Sequence, residues 1–112
     1  MDEDEARELL RAERDRVERL LDDAVRSGLD NRSAAGEPGD MTDSAEPLTS
    51  EQTNDAITAA LRERLEAIER AEQRLAAGTF GRSVHSGLPI PDDRLRADPA
   101  TELTVEEAAE AR

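Results

Sequence analysis

A chain of 112 residues leaves room for one small domain at most. Phe80 is its single aromatic residue, 38% of its residues are charged and its mean hydropathy is -0.78, which excludes a thick globular core. The formal charge is -13 and all 15 basic residues are arginine, which excludes the basic surface that nucleic-acid phosphates or anionic membranes require.

This balance suits an elongated helical protein with a narrow apolar stripe, part of it disordered. Cysteine is absent, so there are neither disulfides nor thiolate metal ligands. No apolar run approaches the ~20 residues of a membrane span. The acidic start Met1-Asp2-Glu3-Asp4-Glu5 lacks the basic and apolar regions of a signal peptide, and a cytoplasmic location is expected.

The spacing predicts a first helix over about residues 2–26. Leu10, Val17 and Ala24 recur every seven residues, with Leu20 and Leu21 between them, and charges fill the other faces. Such a stripe is typical of a coiled-coil partner. Gly28 is the expected stop. From about Ser27 to Ser50 no periodicity survives. Gly28, Gly36, Pro38, Gly39 and Pro47 mark a loop, in which five acids stand against Arg32. The charge excess therefore peaks between the two long helices.

A second helix is predicted over about residues 51–77. Leu61, Ile68 and Leu75 form its heptad row, and Ile57, Leu65 and Ala71 the adjoining one. Thr49 or Ser50 can cap its start, and Gly78 ends it. Two helices of similar length with one apolar row each pack as an antiparallel hairpin, although a parallel intermolecular coiled coil would also satisfy the pattern. The domain division that follows is a hairpin over 1–77 and a compact, turn-rich lobe over 78–112.

Within the lobe, Pro91-Asp92-Asp93 opens a short helix through Arg96, and Thr104-Val105-Glu106-Glu107 forms a capping box before Ala108. Ser83 and Ser86 stand at the spacing of a C-x-x-C knuckle flanked by Gly81 and Gly87. Thr104 and Glu107 repeat that spacing after seventeen residues. A 2–17–2 ladder of Ser83, Ser86, Thr104 and Glu107 thus occupies the places of a four-cysteine zinc site without its ligands.

Catalysis is not expected. Ser83, His85 and Ser86 are close in sequence, but a nucleophile and base need a third supporting group and an oxyanion site, and no pocket is signalled. Paired acids such as Asp22-Asp23 and Asp92-Asp93 read as a solvated face.

Residues Arg62-Glu63-Arg64-Leu65-Glu66-Ala67-Ile68, then Leu75-Ala76-Ala77-Gly78-Thr79-Phe80-Gly81, then Gly87-Leu88-Pro89-Ile90-Pro91-Asp92-Asp93-Arg94-Leu95 and Asp98-Pro99 carry a contiguous resemblance. From about Leu61 to Pro99 the chain resembles the DksA/TraR family of bacterial transcription regulators; the first helix matches in type alone. The resemblance implies a mostly α fold, a long helical hairpin with a C4-type zinc finger at its base. It implies RNA polymerase as partner, with the hairpin inserted in the enzyme's secondary channel and an acidic tip near the active site. Regulation by such proteins is often joint with the alarmone ppGpp.

Two departures qualify what the resemblance implies. The family's tip motif, D-x-x-D-x-A, is represented here by Glu51-x-x-Asn54-x-Ala56, with Asp55 adjacent. If two tip carboxylates are needed, Glu51 and Asp55 must supply them. In the finger, the hydroxyls of Ser83, Ser86 and Thr104 are poor zinc donors, and a site built on His85 and Glu107 would have two ligands of four. No zinc is expected, and His85 reads as an exposed turn residue. Phe80, Val84, Leu88, Ile90, Leu95, Leu103 and Val105 should then form a small core docked near Leu75. The expected function is that of a monomeric regulator of RNA polymerase that touches neither nucleic acid nor membrane. The alternative is a helical-hairpin interaction module that kept the scaffold and lost the polymerase role.

Overall fold

The structure, a computed structural model, describes residues 1–35 and 45–111, with side chains over 1–29 and 52–111. The described residues form four helices: α1 (Glu3–Ala35), α2 (Ala45–Ala77), α3 (Asp92–Ala97) and α4 (Val105–Glu110). The fold is mostly helical, as its composition demands.

α1 starts where local chemistry favours it. Asp2 accepts the Glu5 N–H at 2.7 Å, satisfying one of the unpaired donors of the first turn. Glu3, Asp4 and Glu5 place negative charge at the positive end of the helix dipole. Arg7 then pairs with Glu3 at 2.8 Å and Asp4 at 3.1 Å along the same face.

Both long helices exceed their expected bounds. Gly28 does not stop α1, which continues to Ala35. A single interior glycine costs only about 1 kcal/mol of helix propensity relative to alanine, and Gly28 is buried within the helix. α2 begins at Ala45, so Thr49 and Ser50 lie inside it rather than capping it. Pro47 is no obstacle, because the first turn of a helix has no N–H partner to lose. The loop expected over 27–50 is therefore helical at both ends, and 36–44 lies outside the described residues. α2 stops at the expected place. Gly78 adopts φ 80°, its N–H meets the Leu75 carbonyl at 3.2 Å and the Thr79 N–H meets Arg74 O at 2.9 Å, a Schellman closure.

Two compact units result. The first comprises Met1–Asp15 and Leu65–Arg112; the second is Arg16–Arg64. The lobe expected as a separate division over 78–112 thus shares a unit with the start of α1 and the end of α2.

In the first unit the two helices run antiparallel. Met1 and Ala6 line a hollow with Leu75, Gly78 and Phe80, while eight residues beyond Ala6 Arg14 meets Glu72 at 2.6 Å and Glu69 at 3.7 Å. Ala6, Leu10, Ile68 and Ala71 are buried along this seam, and Ile90, Leu95 and Ala100 are buried in the lobe. Glu5 and Arg96 join α1 to α3 at 2.9 Å. From α2, Arg70 reaches Glu102 at 2.9 Å and Arg74 reaches it at 3.9 Å.

The second unit buries Val17 and Ala24, which belong to the expected heptad row, and leaves Leu20, Val25, Leu29 and Ile57 exposed. Val84, Leu88 and Val105, expected in the lobe core, are also exposed at 53%, 58% and 55%. The lobe is too thin to cover both faces of its turns, and its smaller core rests on Ile90 and Leu95.

Leu10 and Ile68 are almost wholly buried. Leu10→Ala or Ile68→Ala should each cost about 2–5 kcal/mol in urea denaturation, the range for large-to-small core changes. Ile57→Ala, at 45% exposure, should change stability by no more than about 0.5 kcal/mol.

Candidate functional site

Two groups of residues were singled out by sequence, and they fall in different units. The tip group lies on α2 in the second unit. Glu51 is helical, and its side chain lies outside the described residues. Asn54 is half-buried, and Asp55 and Ala56 are exposed. None of the four sits at the first turn of α2, since Glu51 follows Ala45 by six residues. The tip group thus lies on helix rather than on loop.

The finger group converges. The Ser83–Gly87 turn closes through Gly87 N–H to Ser83 O at 2.9 Å and Ser83 N–H to Leu88 O at 2.8 Å, with an isolated antiparallel bridge between Arg82 and Pro89. Gly87 takes φ 76°, the left-handed region that favours glycine, which explains its place after Ser86. Val84 N–H donates to Glu102 O at 2.9 Å, drawing this turn beside the segment that enters α4.

Ser83 is only 4% exposed, and its hydroxyl oxygen accepts the N–H groups of His85 at 3.0 Å and Ser86 at 3.2 Å. Ser86 Oγ accepts the Leu88 N–H at 3.3 Å. Thr104, 7% exposed, caps α4: its Oγ1 accepts the Glu107 N–H at 3.2 Å, and Glu107 Oε1 accepts the Thr104 N–H at 2.9 Å. This is the reciprocal capping box expected from sequence.

Glu107 is the electrostatic centre of the group. Its pKa falls from an ordinary 4.5 to about 2. The Thr104 backbone N–H is the largest cause, followed by the Ser83 hydroxyl; burial opposes them, and the Ser86 and Thr104 hydroxyls add to the lowering. The second oxygen, Oε2, is buried and takes no hydrogen bond of good geometry. The serine hydroxyls therefore act on the carboxylate as nearby dipoles rather than as well-aligned donors.

The resemblance to zinc-finger proteins raises the question of a metal. Zinc wants thiolates, imidazoles or carboxylates free to bind. Here three of the four donors are neutral hydroxyls whose oxygens already accept backbone N–H groups, and one Glu107 oxygen is held by Thr104. His85 is exposed, and among the described residues no three His, Cys, Asp or Glu side chains are grouped to hold a metal ion. The residues present do not fit zinc.

Sequence reasoning identified these four positions but not how the lobe is tied to α2. Glu102, meeting both Arg70 and Arg74, had no motif to mark it. The i, i+4 spacing of the two arginines on α2 was the one available signal.

Comparison with known proteins places this arrangement. No family model matches the chain. The solved structure of the transcription factor DksA2 from Pseudomonas aeruginosa superposes with a TM-score of 0.84, over 97% of this chain and 81% of that one, at 25% identity. The chain has the DksA/TraR-like fold. General stress protein 16O of Bacillus subtilis (strain 168) is 36% identical over 70 residues, 62% of this chain. That stretch is 43% of the curated relative, so the chain spans less than half the length of that protein. The DksA-like fold accounts for the long helices and the small lobe at their base. Among the described residues no helix is long and apolar enough to cross a membrane.

The Glu107 environment has a consequence for acid stability. Its pKa is lower folded than unfolded, so the folded state binds this proton less readily. The contribution is present above the ordinary value of 4.5, and disappears as pH falls toward the folded value of about 2. Thermal melts from pH 7 to pH 2 should show a loss of stability across that window, and the loss should shrink in Glu107→Gln.

Proposed function

We propose that this chain is a transcription regulator that binds RNA polymerase, with the α1–α2 hairpin entering the secondary channel and Glu51, Asn54, Asp55 and Ala56 forming the contact segment. The observation that carries the proposal is the likeness to DksA2, a transcription factor, along 97% of this chain. The charge supports it: a net -13 with every cation an arginine suits a basic channel or a metal-centred site better than it suits DNA. No step of bond making is assigned to the protein; its action is to bind and to bias the polymerase. Co-regulation by ppGpp comes from family resemblance alone and forms no part of the binding interface proposed here.

In this reading the departures at the tip matter more than those in the finger. Glu51 retains a carboxylate on a longer arm, Asn54 is neutral, and Asp55 offers a carboxylate one position along. On a helix, one position is a rotation of about 100°, so Asp55 points away from the direction Asn54 takes. The protein is expected to keep affinity for the polymerase while its effect on transcription differs from that of a D-x-x-D-x-A tip.

A second reading has one observation in its favour. Leu20, Val25, Leu29 and Ile57 are exposed in the second unit, at 41%, 38%, 54% and 45%. These suit a helical-hairpin module whose partner is another protein, without regulation of the polymerase.

Binding of the purified protein to polymerase core enzyme separates the two. The polymerase reading expects micromolar or tighter affinity and competition with a known secondary-channel factor. It also expects the Glu51→Ala/Asp55→Ala double variant to bind but to lose its effect on transcript yield. Absence of binding at tens of micromolar and moderate salt would leave the interaction-module reading standing.

A further inference from the structure

The two compact units differ in how their helices are held. In the first unit a large side chain is buried on each helix, Leu10 on α1 and Ile68 on α2, and Ala6 and Ala71 are buried as well. In the second unit α2 continues the same row. Asn54, Thr58 and Leu61 precede Leu65 and Ile68 at alternating steps of four and three, and each of these is buried or half-buried. Two of the three row positions in this unit are therefore polar. No α2 side chain among residues 52–64 is buried. Ile57, the one large apolar residue there besides Leu61, is 45% exposed. Among the described residues of the second unit, those buried are Val17, Ala24 and Gly28, all on α1, and the last two are small. Less apolar surface therefore closes the second unit than the first.

Intrinsic helix preference falls in the same places. Thr53, Asn54, Asp55, Ile57 and Thr58 all rank low, because β-branched side chains lose rotamer freedom in a helix and short polar ones compete for backbone hydrogen bonds. On α1 the same is true of Asp22, Asp23, Val25 and Ser27, and Gly28 is weaker still. The part of α2 that belongs to the first unit, residues 65–77, is instead rich in Ala, Leu, Glu, Gln and Arg, the strong helix formers. A helix is held in water by packing of its apolar face and by local preference. In the second unit both are weak over the same residues of both helices.

We propose that the second unit opens separately: residues 22–29 of α1 and 53–58 of α2 unfold and refold together while the seam around Leu10 and Ile68 stays closed. Such opening is the sub-global kind that follows from few buried apolar contacts, and amide hydrogen exchange reads it. Asn54, Asp55 and Ala56 lie inside the opening segment. A partner that holds them must also hold the segment closed, so closure takes part in setting its affinity. That consequence rests on the contact segment proposed above; the opening itself holds whether or not the chain binds polymerase.

The test is amide hydrogen exchange of the free full chain, followed residue by residue by NMR. After correction for intrinsic rates, the amides of Val25, Gly28, Ile57 and Ala59 should exchange about a hundredfold faster, or more, than those of Leu10, Ile68 and Ala71. Asn54→Leu/Thr58→Leu makes the α2 row apolar and raises helix preference. It should slow all four fast amides by about tenfold and leave Ile68 and Ala71 unchanged. Slowing on α1, where nothing was substituted, is the sign that the two helices open together. Should that variant self-associate, Ser27→Ala, at an exposed position of α1, should slow the Ile57 and Ala59 amides of α2 by about twofold. Equal protection along both helices would overturn the proposal, as would substitutions that slow exchange only on the helix that carries them.

Discussion

The antiparallel seam between the start of α1 and the end of α2 is the interaction on which the rest of this protein depends. Ala6 and Leu10 on one helix and Ile68 and Ala71 on the other are all buried there. Two small and two large residues are enough to bury a seam between two highly charged helices. The charges do not oppose the packing, because Arg14 bridges to Glu72 and Glu69 at the edge of the seam. Partly exposed pairs of this kind contribute roughly 0–1 kcal/mol each, so they guide register more than they stabilise. The apolar seam carries the energy.

The lobe depends on that seam in turn. Its own core is small, and it is anchored to the helices by Glu102 with Arg70 and Arg74 and by Arg96 with Glu5. Burial lowers the pKa of Arg74, the more enclosed of the two α2 arginines, against the opposing effect of Glu102. That arginine nevertheless keeps its charge at any physiological pH. A lobe built this way belongs physically to the helix ends, which is why the compact unit includes all of them.

The proposed contact segment and the core of the lobe fall in different units of the chain. The positions proposed to meet a partner are on α2 in the second unit, where apolar side chains are exposed and charges are dense. The buried residues of the lobe, among them Ser83, Ile90, Leu95 and Thr104, lie in the first unit.

Much of this was legible in the linear pattern. Heptad spacing marked Leu10, Val17, Ala24 and Ile68, and all four are buried. Gly78 marked the end of α2, and Thr104 with Glu107 marked the capping box, because each is a local rule acting within a few residues. The true lengths of the long helices were not legible. Gly28 and Pro47 are breakers by propensity, yet the helix runs through the first and begins two residues before the second, because packing and first-turn geometry outweigh propensity. The lobe core was only half legible, since nothing in the spacing of Val84, Leu88 and Val105 says which side of a turn faces out. The 2–17–2 ladder was plain in the sequence, but its meaning was not. By itself the sequence determined the presence of the helices, the stop of α2 at Gly78, the excess of negative charge and the absence of thiolates, all properties of composition and short range. Only the tertiary structure decided that the Ser83–Gly87 turn would lie beside the segment entering α4, joined by the Val84 N–H to Glu102 O, because that requires the chain to close on itself.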